Sequence, residues 1–152
     1  MTNVYPAINQ NSTQMAVRYT YGGKQYYQIY NLAKGRFINP RNPVKRICLS
    51  ATSGDFQGFD LYGTSIYTIE GSPRKSFLLG YDRSRRYQPT KIRRYNYAAR
   101  SKKTITVRGA KTLSFREPEG IKVLAGGQIY MMYVSNTLTN QSCNIYRVKR
   151  KI

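Results

Sequence analysis

Along residues 15–32 apolar and polar side chains alternate on either side of a glycine pair, the pattern of a β-hairpin. Met15-Ala16-Val17-Arg18-Tyr19-Thr20-Tyr21 reads as one arm, Gly22-Gly23-Lys24 as the turn, and Gln25-Tyr26-Tyr27-Gln28-Ile29-Tyr30-Asn31-Leu32 as the return. A looser stretch with Gly35, Pro40 and Pro43 follows, basic at Lys34, Arg36 and Arg41. Residues 44–51 are apolar enough for the next strand. Two more are expected at 57–61 and 65–70, joined across Tyr62-Gly63-Thr64, and another at 76–81. Strand character resumes at Thr104-Ile105-Thr106-Val107, then at 120–124 and 128–134. A polar linker, 135–142, leads to a last strand at 143–148 and a basic tail, Lys149-Arg150-Lys151. The sum is roughly ten strands and no helix.

Two of these hairpins share a motif. Phe56-Gln57-Gly58-Phe59-Asp60-Leu61-Tyr62-Gly63-Thr64-Ser65-Ile66-Tyr67 is echoed by Pro118-Glu119-Gly120-Ile121-Lys122-Val123-Leu124-Ala125-Gly126-Gly127-Gln128-Ile129-Tyr130. Both run Gln or Glu, Gly, a large apolar residue, any residue, Leu or Val, a Gly-containing turn, then Ile-Tyr. A strand–turn–strand unit recurring at this spacing predicts stacked copies of one antiparallel sheet, as in a β-propeller. Blades need about four strands each, so ten strands make two to three blades, and a ring needs at least four or so. The expected architecture is therefore an all-β partial propeller of two to three antiparallel blades. Self-association is one way to complete it, being part of a longer chain is another, and an unusual closure is a third.

Composition supports strands: 15 of the 152 residues are tyrosine, and leucine and alanine are scarce. No apolar run is long enough to span a membrane as a helix. Residues 1–14 are polar, with neither a basic head nor an apolar stretch, so they do not read as an ordinary secretory signal. Cys48 and Cys143 stand 95 residues apart, and can pair only if their strands are adjacent. With no histidine and no Cys-x-x-Cys, neither a zinc site nor any other cofactor is expected.

Charge changes the picture most. Twenty-six lysines and arginines face six acids, a formal net charge of +20. A field of that sign draws polyanions, whether nucleic acid, an anionic lipid surface or a phosphate-bearing wall polymer. The density peaks at about 82–103, where Arg83, Arg85, Arg86, Lys91, Arg93, Arg94, Arg100, Lys102 and Lys103 mix with Tyr87, Tyr95 and Tyr97, and Asp82 is the one acid. This basic insertion reads as a long loop or an irregular outer hairpin, partly mobile through self-repulsion. Its candidates for anion binding are Arg83, Arg85, Arg86, Tyr87, Arg93, Arg94, Tyr95, Tyr97, Lys102 and Lys103: cations to hold phosphates, rings to stack on sugars or bases. The competing reading is a solvated surface loop that contributes solubility.

Gln57 and Glu119, the polar residues of the repeat, are the second set of candidates. In a propeller the inner strands converge on a channel, where one polar side chain per blade can point at a shared ligand. Alternatively these side chains bond the neighbouring blade's backbone and hold the ring together. Catalysis is not expected. No Gly-x-Ser-x-Gly elbow, histidine base or Walker-type loop is present, and Glu117 and Glu119, split by Pro118, are not read as a glycosidase pair. The tyrosines closing strands, Tyr30, Tyr67, Tyr130 and Tyr146, fit core or inter-blade packing.

Gln57-Gly58-Phe59-Asp60-Leu61 with Ile66-Tyr67, followed by Ser72-Pro73-Arg74-Lys75, resembles the middle of the helveticin-J-like class III bacteriocins. Phe115-Arg116-Glu117-Pro118-Glu119-Gly120-Ile121, Gln128-Ile129-Tyr130 and Asn144-Ile145-Tyr146-Arg147-Val148 resemble that family's C-terminal part, and the hairpin at 15–32 fits the strand pair preceding this region. The resemblance covers most of the chain through short motifs. It implies a β-propeller shared with phage receptor-binding and teichoic-acid-associated proteins. It further implies recognition of an anionic envelope polymer of Gram-positive bacteria, and killing of related bacteria by a secreted or surface-associated protein. Family members are about twice this length, so the chain corresponds to a C-terminal half, and the segment at 82–103 is more cationic than the family pattern requires. The alternatives are a nucleic-acid-binding basic β protein of phage or plasmid origin, resting on the Arg/Tyr interleaving, and an inactive truncated bacteriocin relic.

Overall fold

The computed structural model describes residues 2–50, 55–71, 89–110, 113, 116–136, 141–149 and 152. The strand expected at 76–81 and the candidates Arg83, Arg85, Arg86 and Tyr87 lie outside the described residues, as does Ser72-Pro73-Arg74-Lys75.

The fold is all-β and of partial propeller type. The first sheet is a meander of β1 (Thr2–Ile8), β2 (Gln14–Tyr21) and β3 (Lys24–Ala33), with β4 (Arg36–Phe37) and β5 (Lys45–Ser50) both pairing with β3. The second runs β6 (Phe56–Tyr62), β7 (Ser65–Glu70), β8 (Thr90–Asn96), β9 (Ser101–Val107). The third runs β10 (Arg116–Leu124), β11 (Gln128–Asn136), β12 (Gln141–Arg147), with a short 3-10 turn, Ala125–Gly127, between its first two strands. Every pairing is antiparallel. The leading strands meet: β1 lies against β6, and β6 against β10.

The sheets stack through two apolar layers. Ala16, Tyr27, Ile29 and Ile47 of the first sheet meet Phe59, Leu61 and Ile66 of the second. On the opposite face, Tyr67, Ile69 and Ile92 meet Val123, Ile129, Met131 and Tyr133 of the third. The second sheet is thus covered on both faces, and all six residues of β7 are buried. Among the described residues, the large apolar side chains that stay exposed, such as Ile8, Tyr21, Val44, Leu124 and Ile145, belong to the two end sheets or the loops beside them. Burial of both faces accounts for large apolar side chains on both sides of β7, Ile66 towards the first sheet and Tyr67 and Ile69 towards the third.

The strand expected at 65–70 is observed with the same ends, and the hairpin at 15–32 and the strands at 44–51, 57–61, 120–124, 128–134 and 143–148 correspond to observed strands with shifted ends, residue 51 lying outside the described residues. Two features differ from expectation. β1 falls in the N-terminal segment for which no strand was expected, because Thr2-Asn3-Val4-Tyr5-Pro6 lacks clean alternation. A register shift between Thr2 and Tyr5 breaks the period there. The basic segment, expected as a loop or irregular hairpin, is from Thr90 onward a regular hairpin whose strands extend the second sheet. Ile92 is fully buried, and the Asn96 side-chain carbonyl accepts from the backbone of Ala98 and Ala99, building the turn locally. Packing and turn chemistry outweigh the repulsion. Cys48 and Cys143 are free and exposed, in the first and third sheets respectively.

Candidate functional site: a cationic hairpin and the cleft beside it

The repeated motif is a pair of β-bulges. Phe56 pairs with Glu70 and Gly58 with Ile69, which leaves Gln57 as the extra residue. Pro118 pairs with Tyr133 and Gly120 with Met132, which leaves Glu119 in the same position. A Cβ built on Gly58 would lie 3.4 Å from the Gly120 Cα, so the two glycines let β6 and β10 approach closely. Gln57 donates its amide to the Gly71 carbonyl at 2.8 Å and to the Glu117 carboxylate at 3.1 Å, joining the second sheet to the third. Glu119 stays exposed. Partial loss of water around its carboxyl, and then the charge of Glu117, raise its pKa above the usual glutamate value. The structure therefore gives the two bulge residues different surroundings.

The described part of the basic segment brings most of its candidates together. Across β8 and β9, Arg94 pairs with Lys103, Tyr95 with Lys102 and Arg93 with Thr104. Like charges opposite one another destabilise a sheet, and the surroundings offset this unevenly. Arg93 is held by Glu70, which is 1% exposed, through Nε at 2.8 and 3.0 Å from the two carboxylate oxygens. Arg94 donates to the Ser65 hydroxyl at 3.1 Å and to the Ile152 carbonyl at 3.1 Å. Lys102 sits over the Tyr95 ring at 5.9 Å from its centre, a cation–π distance. Tyr97 donates to the Gly63 carbonyl at 3.3 Å, and burial raises its pKa. Lys102 and Lys103 face solvent with no acid paired to them among the described residues.

Beside the hairpin, between the first two sheets, opens a cavity of about 360 Å³. Tyr27 and Leu49 line one wall and Arg93, Tyr95 and Lys102 the other. Behind the Tyr27 wall lies a buried cation, Arg18, whose guanidinium carbon stands 3.5 Å from the centre of the Phe56 ring. Burial pushes the Tyr27 phenol up to about 12, against a smaller opposing effect of Arg18. It remains a neutral donor, bonded to the Gln25 side-chain carbonyl at 3.2 Å.

Sequence reasoning did not single out Asp60, Glu70, Arg18 or Lys122. Asp60, 2% exposed, accepts from the Val123 backbone at 2.7 Å and from the Lys122 ammonium at 2.9 Å. Lys122 also reaches the Ile8 carbonyl at 3.3 Å, so one side chain touches all three sheets. The available signal was opposite charge at one repeat position. Among the described residues no cluster of three or more His, Cys, Asp or Glu is placed to hold a metal. No described helix is long and apolar enough to cross a membrane. Compared with known proteins, the chain matches no family model and no curated protein.

Proposed function

We propose that this chain is a bacteriocin-like antibacterial module that binds an anionic polymer of the Gram-positive envelope, teichoic acid being the expected class, and that it acts without catalysis at the cell surface. One observation carries the reading. The β8–β9 hairpin, at the edge of the second sheet, presents Arg94 opposite Lys103 on one face and Lys102 beside Tyr95 on the other. A surface that keeps like charges in register is relieved when a polyanion lies across it. Release of the polymer's counterions then adds to the affinity. The net charge of +20 supplies long-range attraction, and the tyrosines supply rings against which sugar carbons can pack. A partial propeller is also the architecture that the resemblance to the helveticin-J-like bacteriocins implies.

The test is sedimentation with intact Gram-positive walls before and after chemical removal of teichoic acid, together with inhibition of growth on living cells. Loss of binding on removal is the expected result. Binding indifferent to removal, alongside salt-sensitive retention on duplex DNA, would sink the reading and favour a nucleic-acid-binding protein.

A further inference from the structure

The cavity between the first two sheets has a composition that a merely cationic surface does not need. Its Arg93 is oriented in advance: both carboxylate oxygens of the buried Glu70 hold Nε, so the guanidinium is fixed while its terminal nitrogens have no partner among the described residues. A fixed guanidinium fork suits a tetrahedral anion. Lys102, solvent-facing, supplies a second and adjustable charge at the mouth. Leu49 and Tyr95 give the interior an apolar and aromatic surface, backed by the fully buried Tyr27. The volume, about 360 Å³, stands at the lower end of small-molecule sites, which run from about 300 to 1,000 Å³. That is the size of one compact unit.

We infer that this cavity holds a single phosphate-substituted polyol or sugar unit. The phosphate lies between Arg93 and Lys102, and the carbon skeleton lies against Tyr95 and Leu49. The inference rests on the polymer-binding reading and deepens it: the hairpin gathers the polyanion by charge, and the cavity reads one of its units. Glu70, buried behind Arg93 and outside the cavity lining, neutralises one of the lining cations. Among the lining residues, the charges of Lys102, Lys103 and Arg94 remain.

The experiment is calorimetric titration of the chain with glycerol 1-phosphate and glucose 1-phosphate, with glycerol, glucose, inorganic phosphate and deoxyadenosine monophosphate as comparison arms. Saturable one-to-one binding of the sugar or polyol phosphates is expected, at least tenfold tighter than for the uncharged compounds or phosphate alone. Two variants separate cavity from hairpin. Ser50→Trp, at an exposed position lining the mouth, blocks the cavity without changing charge. It should weaken the small ligands at least tenfold while low-salt retention on walls persists. Arg100→Gln, in the hairpin turn and away from the cavity lining, should lower wall retention and leave the small ligands unaffected. Absence of saturable binding, or binding that Ser50→Trp leaves intact, overturns the inference while wall retention by wild type keeps the functional proposal standing. Tighter binding of the nucleotide than of the polyol phosphates overturns the choice of ligand. Binding in the cavity by a protein that ignores walls overturns the functional proposal instead.

Discussion

Asp60 and Lys122 occupy the same position in the two copies of the repeated motif, and they bind each other at 2.9 Å. Gly58 and Gly120 likewise occupy one repeat position and sit against each other. Equivalent residues thus meet across the boundary between sheets, as expected when one structural unit is repeated side by side.

That pairing makes Asp60 a strong point of failure. Asp60→Ala leaves the Val123 backbone donor without its acceptor and Lys122 without its counter-charge. A loss of about 3 kcal/mol is expected, measured as a lower urea midpoint. Asp60→Ala combined with Lys122→Met should cost less than the sum of the two single changes, because both remove one interaction.

The glycine contact sets a size limit. An alanine Cβ at position 58 meets Gly120 Cα at 3.4 Å and Ile69 Cγ2 at 3.6 Å, ordinary packing distances. Gly58→Ala is therefore expected to fold with little change. Gly58→Val adds two methyl groups that must push β6 and β10 apart, at a cost of about 2 kcal/mol. Thermal unfolding of both variants checks the difference.

At the hairpin, stability and binding should move in opposite directions. Lys103→Glu places an acid opposite Arg94 in the register observed. It is expected to stabilise the protein by about 0.5 kcal/mol while reducing retention on teichoic-acid-bearing walls and flattening its salt dependence. A variant that gained both stability and retention would count against the role given to the hairpin.

Alkaline pH should weaken the fold through its buried phenols. The Tyr27 pKa is raised from 10 to about 12, and burial raises Tyr67 and Tyr97 as well. In the unfolded chain Tyr27 ionises near pH 10, whereas in the folded protein it holds its proton to about 12. The stability it contributes is fully present below pH 10 and is lost progressively up to about pH 12. For Tyr27 alone the loss is on the order of 3 kcal/mol. Tyr27→Phe should cost about 1 kcal/mol at neutral pH through its lost hydrogen bond and flatten the alkaline decline, read by denaturant titration across that range.

Both cysteines should react in the folded state. Cys48 and Cys143 are exposed and unpaired, so a maleimide is expected to add twice to the native protein without prior reduction, as read by intact mass.

Much of the sheet pattern was legible in the chain because alternation and glycine turns are local signals. The hairpin at 15–32 shows this, with Tyr19 opposite Tyr26 and Gly22 and Gly23 both at positive φ in its turn. β1 was not legible, since its register shift and Pro6 disguise the period. The hairpin from Thr90 to Val107 was obscured for a different reason. Its charges read as repulsion until Glu70, more than twenty residues earlier, is placed against Arg93.

By itself the sequence determined the all-β class, the repeated hairpin and the cationic field, because composition and short-range periodicity carry all three. Tertiary structure alone decided which residues share a boundary. It made Gln57 a bridge to Glu117 and left Glu119 in water, though the motif gives them one position. It also brought Tyr27 and Leu49 of one sheet opposite Arg93 and Lys102 of another to enclose a cavity. The physical reason is that local pattern fixes which face of a strand is apolar, while the neighbour that covers that face depends on how whole sheets stack.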